Sequence, residues 1–165
     1  MKNLFIFYII LLFGFPVLAQ KGLSNPKFEV MLDTLLNHNV KEILPNEISE
    51  KWDIVYLDSR NKKEYDVSHI DGAIWVGFSN FKLKRIKNIP KNKKIIVYCT
   101  VGYRSEKIAE KLVNAGYKDV YNLYGGIFEW VHQNKNITNI KGLTNEVHTF
   151  DKEWAKWLDK GIKKY

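Results

Sequence analysis

Short β-rich runs and amphipathic stretches take turns along this chain, and that alternation constrains its fold more than any other feature. Ile54-Val55-Tyr56-Leu57, Ala73-Ile74-Trp75-Val76, Lys94-Ile95-Ile96-Val97-Tyr98 and Val120-Tyr121-Asn122-Leu123 have the length and composition of buried strands. Helical patterns lie between and around them. Ser24-Asn25-Pro26 supplies a cap and a first-turn proline for a helix carrying Phe28, Met31, Leu32, Leu35 and Leu36. Ser105 to Ala115 puts Ile108, Ala109, Leu112 and Val113 on one face, with Gly116 as its stop. Shorter helices are expected over Pro45–Lys51, Lys62–Val67, Lys82–Ile89 (stopped by Pro90) and Ile127–His132. Asn134 to Val147 reads as a polar loop. Phe150 to Leu158 reads as a final amphipathic segment whose Trp154 and Trp157 pack on the domain. Strands separated by helices must be connected by crossovers. The expected class is therefore α/β, a mostly parallel sheet with helices on both faces.

The amino terminus stands apart from this pattern. Met1-Lys2-Asn3 is a short positive region, Leu4 to Phe15 is apolar apart from Gly14, and Val17-Leu18-Ala19 closes the run with small residues at the −3 and −1 positions. That is the pattern of a signal peptide cleaved after Ala19. The run falls short of the roughly 20 residues that span a bilayer, so no lasting membrane insertion is expected. The protein is expected to be exported, to the periplasm or the exterior of a bacterial cell, and to be monomeric.

The formal charge of +8 is concentrated in Lys82, Lys84, Arg85, Lys87, Lys91, Lys93 and Lys94 and again in Lys160, Lys163 and Lys164. No aromatic-interleaved basic motif accompanies it, so it reads as solvated lysine faces and no nucleic-acid partner is expected. A single cysteine, Cys99, rules out an internal disulfide. A lone thiol in an oxidising compartment is a liability unless it is buried or used.

Cys99 follows the clearest strand directly and precedes a helix. Ligand sites of parallel α/β sheets lie at the carboxyl ends of the strands. In Cys99-Thr100-Val101-Gly102-Tyr103-Arg104-Ser105, successive amides of a tight strand-to-helix turn converge into an anion cradle, and the helix amino terminus adds positive potential. Gly102 permits a backbone that a Cβ would forbid, Arg104 brings a permanent cation, and Ser105 is suited to cap the helix. These features favour the thiolate, the nucleophilic form.

The loop resembles the Cys-x-x-Gly-x-Arg-Ser signature of the rhodanese (thiosulfate sulfurtransferase) homology domain. Three further segments are similar to that family, in its order: Leu57-Asp58-Ser59-Arg60 with Glu64-Tyr65, His69-Ile70-Asp71-Gly72-Ala73, and Val120-Tyr121-Asn122-Leu123-Tyr124-Gly125-Gly126 running to Trp130. The resemblance implies a rhodanese-like fold with a five-stranded central sheet. Together with the amino-terminal pattern and the helical segments on either side, it divides the chain into a signal peptide (1–19), a helical segment packing on the domain (20–44), the rhodanese-like domain (45–133) and a carboxyl-terminal loop and amphipathic helix (134–165). It implies a sulfurtransferase with Cys99 as nucleophile and Thr100 to Ser105 as the cradle. The substrate would be a small sulfur-donor anion or a low-molecular-weight or protein thiol. No metal or other cofactor is implied.

Asp58 and Arg60 are expected to support the loops as an ion pair, and His69 as a structural hydrogen-bonding group. Related phosphatases and arsenate reductases carry a longer cysteine-to-arginine loop. Here only Thr100, Val101, Gly102 and Tyr103 intervene, which favours sulfur over a tetrahedral oxyanion. Many family members place a cation directly after the cysteine. Thr100 stands there in this chain, which makes efficient use of thiosulfate questionable. A persulfide carrier or interaction module without turnover is the alternative.

Overall fold

The computed structural model describes residues 22–165, so the leader expected at 1–19 lies outside the described residues. Helix α1 (Pro26–Leu35) starts where expected. The Asn25 side chain accepts hydrogen bonds from Lys27 N at 3.0 Å and Phe28 N at 3.2 Å, with Pro26 in the first turn. There follow β1 (Lys41–Ile43), β2 (Ile54–Asp58), α2 (Lys62–Val67), β3 (Ile74–Trp75), β4 (Lys94–Tyr98), α3 (Tyr103–Asn114), β5 (Asp119–Leu123) and α4 (Gly126–His132). The chain closes with β6 (Ile137–Asn139), β7 (Gly142–Thr144), β8 (Glu146–His148), α5 (Lys152–Ala155) and β9 (Ile162–Lys164).

Strands β1 to β5 form one sheet in the order β1-β5-β4-β2-β3, and every neighbouring pair is parallel. Strand β4 is central, and its side chains alternate between two cores. Ile95 and Val97 pack with Ile108, Ala109 and Leu112 of α3, while Ile96 and Tyr98 pack with Phe28 and Leu32 of α1 and Ile127 and Phe128 of α4. Each of the Ile, Val, Leu and Phe side chains among these contributes about 1.5–3 kcal/mol on burial. This two-sided burial fixes β4 and points its carboxyl end, with Cys99, at the edge of the sheet where the loops gather.

The structure departs from the sequence reading in four places. Lys41–Ile43, expected within a helical segment, forms the fifth strand, edge-paired with β5. Pro45–Lys51 is only a 3-10 turn over Pro45–Glu47, closed by the Glu47 carboxylate accepting from Leu44 N at 2.9 Å, because Ile48 returns to extended backbone. Lys82–Ile89 likewise contains only a 3-10 turn, Leu83–Ile86, in which Ile86 alone is buried. Without a second apolar row, that segment has no face to hold a longer helix against the domain. Finally, the segment 134–165 is not loop and helix alone: β6 and β7 pair antiparallel, and β8 and β9 pair in parallel around α5.

Both flanking segments are fastened to the central domain. The buried Glu129 carboxylate accepts from Ser24 N at 3.0 Å and from the Ser24 hydroxyl at 2.8 Å, and Glu106 accepts from Asn37 N at 3.0 Å. Trp157 stacks on Phe28 at 5.8 Å. Among the described residues no helix is long and apolar enough to cross a membrane.

Candidate active site

Cys99 follows the last residue of β4 and is 1% exposed. Its Sγ accepts a hydrogen bond from Gly102 N at 3.2 Å. Gly102 caps α3 with φ +118, a value closed to most side chains, and this lets the loop fold back on the sulfur. The first turn of α3 begins at the next residue, so its free amides and the positive end of its dipole lie beside the thiol. Ser105, expected as the cap, stands inside α3. Its hydroxyl lies 3.0 Å from Gly102 O and 2.7 Å from Asn122 Oδ1, bracing the loop against β5. Val101 is buried in the core and anchors the middle of the loop.

The loop is gripped from the opposite side by the start of α4. Ile127 N donates to Cys99 O at 2.9 Å and Phe128 N to Thr100 O at 3.2 Å. This approach requires glycine at 126: a Cβ there would lie 2.6 Å from Cys99 O and from Thr100 O, and φ is +58.

Arg104 does not reach into solvent. Its Nη1 and Nη2 donate to Glu64 Oε2 and Oε1, each at 2.7 Å, and Nη2 also donates to the Thr100 hydroxyl at 2.7 Å. The Thr100 hydroxyl in turn donates to Glu64 Oε1 at 2.9 Å. Burial raises the Glu64 carboxyl, but the bonds from Arg104 outweigh it and hold it below the usual carboxylate range. Burial likewise opposes the charge on Arg104, and Glu64 restores it, leaving the guanidinium above its ordinary value. Glu64 is the functional residue that sequence reasoning missed as part of the site. Its place in the first resembling segment was the available signal.

Asp58, Arg60 and His69 stand apart from the thiol. Asp58 and Arg60 are wholly buried, with Arg60 Nε 3.0 Å from Asp58 Oδ1 and Nη2 2.6 Å from Oδ2; Nη2 also donates to Ser68 O at 2.6 Å. His69 stacks on the Tyr65 ring at 3.9 Å, sets Nδ1 3.0 Å from Tyr65 O, and exchanges backbone hydrogen bonds with Thr138 at 2.8 Å. None of the three lines the cavity that holds Cys99.

That cavity has a volume of about 360 Å³, and its wall combines Cys99, Val101, Tyr103 and Arg104 with Phe78, Phe150 and Trp154. The last two come from the carboxyl-terminal segment and were not anticipated there. Phe150 sets its ring 5.0 Å from the Arg104 guanidinium. It holds that place at φ +70, inside a γ-turn closed by Asp151 N donating to Thr149 O at 2.9 Å, a rare and strained arrangement. Phe150 N donates to His148 Nδ1 at 3.0 Å, which puts the His148 proton on Nε2. A larger groove of about 880 Å³, lined by Trp52, Ile54 and Trp130, opens at the amino end of β2, away from Cys99.

Fold and loop together define an α/β domain that presents one shielded thiol at the carboxyl edge of a parallel sheet. The chain belongs to the rhodanese-like domain family, whose sequence pattern matches residues 41–133, from β1 to the end of α4. A rhodanese-related protein from Thermoplasma volcanium is similar in structure, with a TM-score of 0.53 and 26% identity over 60% of this chain and 98% of that one. A thiosulfate sulfurtransferase from Pseudomonas aeruginosa shares the fold at a TM-score of 0.55 and 22% identity, over 72% of this chain and 23% of that one. Among curated proteins, a tRNA uridine(34) hydroxylase from Streptococcus suis is 38% identical over 118 residues, covering 67% of this chain and 36% of that protein. The chain spans little more than a third of the length of the curated relatives it matches first.

Proposed function

We propose that this domain is a sulfurtransferase that moves a sulfane sulfur from a donor to a thiol or to cyanide through a persulfide on Cys99. One observation carries the reading: Cys99 Sγ sits in a cavity, hydrogen-bonded to Gly102 N at the amino end of α3. The thiolate attacks the outer sulfur of the donor, thiosulfate or another persulfide. An Sγ–S bond forms, the donor's S–S bond breaks, and its electron pair leaves with sulfite or a thiolate. The cradle holds the terminal sulfur as an anion. An acceptor thiolate or cyanide then attacks that sulfur and returns Cys99 as thiolate. Two half-reactions through a covalent intermediate give ping-pong kinetics.

Donor treatment should add one sulfur atom to the intact mass of the protein, and donor plus cyanide should release thiocyanate. Both should vanish in Cys99→Ala. Thiocyanate release undiminished in that variant would overturn the mechanism. Stoichiometric loading with no turnover would instead identify a persulfide carrier.

The names of the curated relatives support a second reading, in which this domain serves a larger activity on tRNA. It departs from the expectation of no nucleic-acid partner. Saturable binding of tRNA at physiological salt would favour it, and binding that disappears with added salt would leave only the basic surface to account for it. Export remains our proposal for the cell address, supported by the Met1–Ala19 pattern. It requires mature protein that begins at Gln20, and secreted protein beginning at Met1 would refute it.

A further inference from the structure

Resting on the sulfur-transfer reading, we infer that the carboxyl-terminal segment sets donor specificity. Phe150 and Trp154 close the Cys99 cavity with an apolar wall that selects organic sulfur donors, aryl or alkyl thiosulfonates and persulfides, over the thiosulfate dianion.

Three independent features support this. First, charge at the cavity is already neutralised. Among its lining side chains Arg104 is the only fixed cation, and both of its terminal nitrogens are bound to the Glu64 carboxylate. Thr100, where a cation would reach a dianion, has its hydroxyl engaged with Glu64 and Arg104. Stripping water from a dianion in such a wall is compensated by the loop amides alone, with no free side-chain cation to share its second charge. Second, the wall is aromatic. Phe78, Tyr103, Phe150 and Trp154 surround the approach to the sulfur, and a cavity of about 360 Å³ admits a ring-sized substituent. Third, the segment is built to hold Phe150 there. The residue sits at φ +70 in a γ-turn. Its neighbours fix the turn through Thr149 N to Lys164 O at 2.9 Å and Asp151 Oδ1, which accepts from Trp154 N at 3.0 Å to cap α5. Backbone strain retained at a cavity wall is a mark of a selected geometry. The segment also lies beyond the residues that match the family, so this wall is an addition to the shared loop.

The chemistry balances for such donors. Cys99 thiolate attacks the outer sulfur of R–SO2–S⁻, the Sγ–S bond forms, and the donor's S–S bond breaks with its electron pair on the departing sulfinate R–SO2⁻. With an organic persulfide R–S–S⁻ the leaving group is the thiolate R–S⁻.

The experiment compares kcat/KM for benzenethiosulfonate and for thiosulfate on the full mature chain, with thiocyanate release as readout. Wild-type protein should prefer the aryl donor. Phe150→Ala should lower the aryl-to-thiosulfate ratio about tenfold, the lower end of what loss of one hydrophobic contact does to discrimination. Phe150→Lys should lower it further by raising use of the dianion. Both donors are read on the same preparation, so the folded fraction cancels from the ratio. Equal use of the two donors by wild type, or a ratio untouched by both variants, overturns the specificity inference while leaving sulfur transfer standing. Failure of every donor to load Cys99 in wild type overturns the sulfur-transfer reading itself, and this inference with it.

Discussion

Two arginine–carboxylate pairs, whose carboxylates Asp58 and Glu64 lie close in sequence, do different work. Asp58–Arg60 is sealed in the interior, with both side chains 0% exposed. Its hydrogen bonds run to Ser68 O and to the backbone of Arg60 itself, so it ties the end of β2 to the turn that follows α2. Burial works against the Arg60 charge, and the Asp58 carboxylate more than offsets it, holding the group above the usual arginine range. Glu64–Arg104 joins α2 to the first turn of α3 at the cavity wall, with Arg104 13% exposed. The first pair shapes the frame and the second shapes the loop. The same bidentate chemistry becomes architectural or site-forming according to what surrounds it.

The contrast can be broken by removing one partner at a time. Asp58→Ala leaves a buried guanidinium uncompensated and should destabilise the fold by about 3–5 kcal/mol, read by urea unfolding at neutral pH. A loss below 1 kcal/mol would show that water reaches Arg60 and that the pair is not sealed.

Glu64→Gln should cost less, about 1–3 kcal/mol, because the amide keeps part of the bonding. It should also slow the sulfur loading of Cys99, since Thr100 and Arg104 lose their common anchor. A loading rate equal to wild type would remove Glu64 from the site. The pH dependence sharpens the point. The Glu64 carboxyl is held below its ordinary value of 4.5 in the folded protein, so its stabilising contribution is complete above that value and is lost as pH falls through the depressed one. The stability gap between wild type and Glu64→Gln should therefore be constant near neutrality and close in acid below pH 4.5.

Lys62–Asp66 supplies the smallest effect. It joins α2 residues one turn apart with both side chains more than half exposed. Lys62→Ala should change stability by less than about 0.5 kcal/mol, and added salt should erase the difference.

Much of this arrangement was readable from the chain. β4, Cys99 and α3 stand out because a buried central strand must be apolar on both faces and the helix after it must be apolar on one. The buried Asp58–Arg60 pair, two residues apart at a strand end, was legible for the same local reason. Glu64 was not, because the Arg104 it binds is 40 residues away and nothing local marks the meeting. β1 was hidden by its edge position: Lys41 is exposed and Glu42 half-buried, leaving Ile43 as its one buried side chain. β8 and β9 are three residues each, and their polar and charged residues carry no strand periodicity. Phe150 read as one apolar residue of an amphipathic segment. Its entry into the cavity depends on a left-handed backbone that an L-phenylalanine seldom adopts.

The edge position of β1 has a consequence for the order in which the molecule is made. Among the described residues its sole partner is β5, with Lys41 opposite Tyr121. A ribosome releases β1 early, and β2, β3 and β4 must all emerge before its neighbour exists. Until Leu123 has left the tunnel, Lys41–Ile43 has no ladder to join and α1 lacks the floor that β5 and α4 provide. Lys41–Ile43 thus stays unpaired while β2, β3 and β4 are made, and this edge of the sheet closes only once β5 has followed them.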